Sequence, residues 1–135
     1  MNEMNSISIH EAIQLLDSDN CKQKLISLYA SKSRQKIKIP KTDKLAGLFS
    51  VLANPLRLKI IMLIAQEPLP VCILSKLIET DQTLISHHLQ LLKNKDLVRV
   101  EVIGRFRIYR LNKEKIPVQL LELFRIYFEK RCDNI

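Results

Sequence analysis

The sequence predicts a mainly α-helical protein with one small β-hairpin, and three observations lead there. Apolar residues recur at helical spacing through most of the chain. A single stretch, L-V-R-V-E-V-I-G-R-F-R-I-Y-R-L, instead alternates apolar with charged residues. Leu and Ile dominate the composition, and aromatics make up only 5%. With 135 residues, 47% of them apolar, the chain can bury a real core, and 2 glycines and 5 prolines argue against low complexity. No apolar run approaches the roughly 18 residues of a membrane span. The opening M-N-E-M-N-S has no basic region leading into an apolar one. A cytoplasmic protein without membrane association is the expectation.

Ile9, Ala12, Ile13 and Leu16 keep i, i+3, i+4, i+7 spacing behind Ser8, which predicts a short amphipathic helix. Asn20 can cap a second helix carrying Leu25, Ile26, Leu28 and Tyr29. The run K-S-R-Q-K-I-K-I-P-K, residues 32–41, is basic and reads as a solvated connector, with a phosphate-seeking arm as the alternative. Residues 1–41 thus form an N-terminal helical extension and basic linker, and residues 42–135 the main domain.

Thr42-Asp43 opens that domain with capping residues, and Leu45, Leu48, Phe49 and Leu52 make one apolar stripe. Asn54 at the cap and Pro55 at the first helical position start P-L-R-L-K-I-I-M-L-I-A, apolar on most sides and therefore central. Leu69-Pro70 breaks it. A helix from Val71 to near Glu79 carries Leu74, Leu77 and Ile78, and after Thr80-Asp81 another runs from Gln82 to near Lys93. The alternating stretch predicts two strands, 97–103 and 106–111, turning at Gly104-Arg105. Beyond Asn112, Leu120, Leu123, Phe124, Tyr127 and Phe128 mark a final amphipathic helix. Helix, helix, helix–turn–helix, hairpin, helix is the order of a winged helix-turn-helix.

The chemistry concentrates in I-S-H-H-L-Q-L-L, residues 85–92. At about 100° per residue, Gln82, Thr83, Ser86, His87, Gln90 and Lys93 share an arc of about 140°. Leu84, Ile85, His88, Leu89, Leu91 and Leu92 fill the opposite side, so the adjacent histidines part: His87 goes to the polar face and His88 to the core, with a ring nitrogen hydrogen-bonded. A helix of this kind suits the second helix of a helix–turn–helix, whose first turns meet base edges in the DNA major groove. Gln can pair with adenine, and Ser and Thr with several bases. Amphipathicity alone would equally fit a solvated helix face. The charge distribution favours DNA: residues 93–115 hold eight Lys or Arg against three acids, a net +5 within a total of +8. A ribbon tipped by Gly104-Arg105, with Arg107 and Arg110 behind it, can reach phosphates or the minor groove beside the recognition helix.

P-L-R-L-K-I-I, C-I-L-S-K-L-I, D-Q-T-L-I-S-H-H-L-Q-L-L and the G-R-x-x-x-Y-R-L ribbon together resemble the arsenic-repressor (ArsR) family of winged-helix regulators over residues 43–130. The resemblance implies a homodimeric repressor on an inverted-repeat operator, released by metal ions, oxidants or other signals. It assigns base reading to Gln82, Thr83, Ser86 and His87, phosphate contact to Arg105, and dimerisation to the first and last helices of the core. Gln90 and Arg107 extend the DNA-facing set.

The family's sensing motifs are degraded here. Where its arsenic-type site reads E-L-C-V-C-D-L, this chain has Pro68 to Leu74, with one thiol at Cys72, Pro70 in place of the other, and Ile73 in place of the acid. A lone thiolate does not hold a soft metal ion tightly without further S or N ligands. The last helix has no histidine, only Glu122, Glu129, Cys132 and Asp133. No metal ligand set and no cofactor are therefore expected. The leading expectation is a sequence-specific regulator of double-stranded DNA, a homodimer on a pseudo-palindromic operator. The alternative is a winged-helix interaction or dimerisation module that reads no DNA. A thiol- or metal-gated derepressor, with Cys72, Cys21 and Cys132 as candidate thiols, is a lesser one. An enzyme is not expected, since the chain has no phosphate loop, activated nucleophile or acid–base pair.

Overall fold

The computed structural model of the chain describes residues 5–132 and divides it into two compact units, 1–46 and 47–135. In the first, strand β1 (Ser6–Ser8) leads into helix α1 (Ile9–Gln14), helix α2 (Asp19–Leu28) and strand β2 (Lys36–Lys38). Ser8 ends the strand and caps the helix. Its Oγ accepts from the Glu11 N–H at 3.0 Å, and the Glu11 carboxylate accepts from the Ser8 N–H at 2.9 Å, a reciprocal capping box. Helix α2 is capped by Ser18, not by Asn20, which lies inside its first turn. Ser18 has the extended backbone a cap needs, and its Oγ accepts from the Cys21 N–H at 3.4 Å.

The basic run is not wholly a connector. Its centre, Lys36–Lys38, pairs antiparallel with β1, Ile7 standing opposite Ile37. Lys-Ile-Lys and Ser-Ile-Ser both alternate with period two, but their partnership joins residues some thirty positions apart and has no local signal.

Helix α3 (Asp43–Leu52) leads into the second unit. There follow α4 (Pro55–Gln66), β3 (Leu69–Pro70), α5 (Val71–Ile78), α6 (Gln82–Asn94), β4 (Val98–Ile103), β5 (Phe106–Leu111) and α7 (Val118–Cys132). This is a mostly helical winged helix-turn-helix. Asn54 Oδ1 accepts from the Leu56 and Arg57 N–H groups at 3.0 and 3.1 Å, which starts α4 with Pro55 in its first turn. Ile60, Ile61 and Ile64 make α4 the middle of the core, against Leu74, Ile85, Leu89 and Leu92. Leu97, Val98, Tyr109 and Leu111 close it from the hairpin, and Ile116 and Phe124 from the chain's end.

Leu69-Pro70 breaks the helix but also pairs with Tyr109 and Ile108, so the sheet has three strands in the order β3-β5-β4. Proline is tolerated there because β3 is an edge, where a missing N–H costs no ladder bond. Gly104 has φ +59° and Arg105 a negative φ, the pattern of a type II′ turn, which favours glycine at its first central position. Among the described residues no single helix is long and apolar enough to cross a membrane.

One polar residue is part of this core. Asn112 is 1% exposed and fastens the end of β5 to the corner between α6 and β4. Its N–H donates to the Leu97 carbonyl at 2.9 Å and its Nδ2 to the Asp96 carbonyl at 2.9 Å, while its Oδ1 accepts from the Glu114 N–H. Asn112→Leu leaves the Asp96 carbonyl and the Glu114 N–H without that partner. The unfolding free energy is expected to fall by about 1–3 kcal/mol, read by urea denaturation.

Candidate nucleic-acid interface

Helix α6 is held at both its ends and along one face. At its start the Asp81 carboxylate accepts from the Thr83 and Leu84 N–H groups at 2.9 and 3.3 Å. The turn before it is locked by Ser75, whose Oγ donates to the Thr80 carbonyl at 2.5 Å, and Glu79 takes the left-handed conformation that ends α5. Ile85, Leu89 and Leu92 are fully buried.

With those three inward, Gln82, Thr83, Ser86, His87, Gln90 and Lys93 all stand exposed, gathered on one face as their spacing predicts. Gln90 is engaged within the helix, its Nε2 donating to Asn94 Oδ1 at 3.1 Å. Leu84 departs from its predicted place. It is 44% exposed, because it flanks the buried row at the helix start, where no other element covers it.

His88 also departs from it. It is half-buried at the rim of the core, not packed within it, and its Nδ1 lies 3.5 Å from Arg57 Nη1, a long hydrogen bond. A guanidinium can only donate, so Nδ1 accepts and the ring proton sits on Nε2. Arg57 Nε donates in turn to the Val51 carbonyl at 2.7 Å. One side chain thus joins the last turn of α3 to the recognition helix. Sequence reasoning missed this role; the one signal was a cation in the first turn of a helix otherwise mostly apolar. Burial, then Arg57, then His87 hold the His88 imidazole below its ordinary pKa.

The hairpin stands beside α6, and its cations divide into two kinds. Arg110 pairs with Glu101, and Arg99 with Glu114 at 3.2 Å. Arg110, expected behind the tip as a phosphate contact, is therefore already engaged across the ribbon. Arg105 at the turn and Arg107 beyond it are exposed and enter no ion pair among the described residues.

The residues present do not fit the family's metal sites. Cys72 is half-buried on α5, with Pro70 and Ile73 where further donors would stand. On α7 both Glu122 and Glu129 are ion-paired with Arg125, which holds the Glu122 carboxyl below the usual range. No three His, Cys, Asp or Glu side chains come together among the described residues. Cys21 is exposed on α2; the Cys132 side chain and Asp133 lie outside the described residues.

Residues 54–100 match the family of bacterial regulatory proteins described as the arsR family. Over 108 residues, 78% of this chain and 82% of the relative, the sequence is 29% identical to a transcriptional repressor SmtB homolog of Synechocystis sp.. Reduced HlyU from Vibrio cholerae superposes with a TM-score of 0.58 at 30% identity, covering 64% of this chain and 90% of that one. A homodimeric winged helix-turn-helix DNA-binding domain from Mycobacterium bovis, a possible ArsR-family transcriptional regulator, gives 0.54 at 30% identity, covering 65% and 81%.

The lowered His88 pKa has a defined consequence for stability. Neutral His88 is favoured in the folded state, so the stability linked to it is complete above the unfolded value of about 6.5. It is lost as pH falls from there through the folded value. Denaturant melts at pH 7.5 and 5.5 should therefore show a smaller acid-induced loss in His88→Gln than in the native sequence. Equal losses would mean that Arg57 and the surrounding burial do not bias the ring.

Proposed function

The chain belongs to the ArsR family of bacterial regulatory proteins, DNA-binding transcription regulators and not enzymes, and we propose that it is a cytoplasmic repressor working as a homodimer on a pseudo-palindromic operator. The observation that carries this reading is the exposed face of α6. Gln82, Thr83, Ser86 and His87 stand together there, on a helix whose rotation is fixed by Ile85, Leu89 and Leu92. These four, with Gln90 at the far end, meet base edges in the major groove. Gln90 must exchange its bond to Asn94 for one to DNA. Arg105 and Arg107 on the hairpin take phosphates.

Dimerisation is supported by apolar surface left open on α3 and α7. Phe49 and Leu45 on α3, and Val118, Leu123 and Ile126 on α7, are exposed large apolar side chains. Val118, Leu123 and Ile126 line one shallow groove. Two-fold pairing sets two recognition helices about one DNA turn apart, hence the pseudo-palindrome.

A gel-shift titration on the DNA upstream of the protein's own gene tests the reading. Specific, salt-dependent binding is expected, and affinity for duplex DNA indifferent to both sequence and salt would favour an interaction module instead. Gln82→Ala combined with Ser86→Ala should cost about 1–3 kcal/mol per lost base contact and relax specificity. Arg105→Ala should weaken binding on every sequence and lower the salt slope by about one. If it changed sequence preference alone, the division of roles between helix and hairpin is wrong. Leu123→Glu should shift the protein towards monomer in sedimentation velocity; an unchanged dimer would remove α7 from the interface.

A further inference from the structure

The hairpin tip carries a feature that phosphate contact does not use. Ile103 and Phe106 are direct cross-strand partners on either side of the Gly104-Arg105 turn, at 55% and 54% exposure. Side chains alternate along each strand, and Val98, Tyr109 and Leu111 face the core. Ile103 and Phe106 therefore share the opposite, outer face with the Arg110–Glu101 pair. Val102, at 65%, stands on the other face across from Arg107. The tip is thus apolar on both faces and cationic at its apex and side.

The Ile103–Phe106 pair lies three positions beyond the Val100–Tyr109 pair, the last in which both partners are at least half-buried. At about 3.3 Å per residue the tip projects about 10 Å past the core. Neither residue is among those packed against the core of the second unit, and exposing the pair costs hydrophobic free energy in the unbound protein.

We infer that Ile103 and Phe106 form an apolar wedge that enters the DNA minor groove beside the site read by α6. The inference rests on the DNA-binding reading above. The occupant is identified by charge and by continuity: Arg105 lies between the two residues in sequence and Arg107 follows directly. A tip apolar on both faces, with one guanidinium at its apex and one on the Val102 side, matches a groove with sugar walls between two phosphate rows. A second protein surface would have to accept both arginines, and no free carboxylate on the hairpin offers a reciprocal pair, since Glu101 is engaged by Arg110. Wedges of this kind part a base step and bend the duplex, which makes flexible steps such as TA cheaper to bind.

The test uses the full chain and a fluorescent operator duplex. Ile103→Thr with Phe106→Ser should weaken binding about tenfold or more. It should also reduce the bend read by energy transfer between the duplex ends and remove the native protein's preference for a TA step over an A-tract beneath the hairpin. The salt slope should stay unchanged, because no phosphate contact is lost. Arg105→Ala gives the opposite signature, a lower slope with the step preference kept. Both substitutions lie on the outer face, so melting should shift only by the small contribution of one cross-strand pair, and Phe106→Leu should restore most of the affinity. A double variant that binds and bends like the native protein overturns the wedge and leaves the regulator reading intact. So does one that changes only oligomeric state. Native protein that binds no duplex overturns both.

Discussion

The contact between α6 and α4 is the constraint on which the rest depends. Ile85, Leu89 and Leu92 on one helix bury completely against a core centred on Ile60, Ile61 and Ile64. Each such side chain is worth roughly 1.5–3 kcal/mol of burial. Turning α6 by one residue, about 100°, would carry that row out of the core and bring polar residues in. No hydrogen bond on the exposed face is strong enough to compete, since such bonds contribute about 1 kcal/mol net. The rotation of the recognition helix is therefore set from inside. Gln82, Thr83, Ser86 and His87 face outward because their neighbours must face inward.

What was legible in the sequence follows from how local each signal is. Helix α4 begins at Asn54-Pro55 because a cap and a fixed φ act within three residues, and the strands of the hairpin alternate with a period visible in any short window. The polar face of α6 is legible for the same reason. The pairings β1–β2 and β3–β5 are not, because each joins segments some thirty to forty residues apart and only two or three residues take part. Ser18 displaced Asn20 as a cap because both residue types suit the position and only the backbone decides. Leu84 and His88 show the limit of a helical wheel. It assigns a direction to each side chain but does not say how far the neighbouring elements extend to cover it.

Formal charge also needs the structure to interpret it. The stretch 93–115 carries +5, yet Arg99 and Arg110 are held by Glu114 and Glu101. Exposed pairs of this kind add little to stability. Their effect is to orient the ribbon's side chains and leave Arg105 and Arg107 as its free cations. The net charge still steers the molecule towards a polyanion at long range, and a smaller set makes the contact. On α7 the same logic applies to Arg125, which occupies both carboxylates that a metal ion would otherwise need.

Helix and hairpin act as one reader only if their spacing is fixed, and three polar ties add to the apolar packing that fixes it. Asn112 ties the end of β5 to the corner that follows α6, and the β3–β5 pairing ties the same strand to the residues that precede α5. Arg57 spans from the carbonyl of Val51 to His88, so the first core helix and α6 share one side chain. Each of these groups is polar, and each would be costly to leave unpaired where it is buried or half-buried. A shift of α6 relative to the hairpin must break at least one of them. A signal that relocates α6 therefore acts against a few polar bonds at the rim as well as against the apolar core. The rim bonds are the weaker set, and Arg57–His88, at 3.5 Å, is the longest of them.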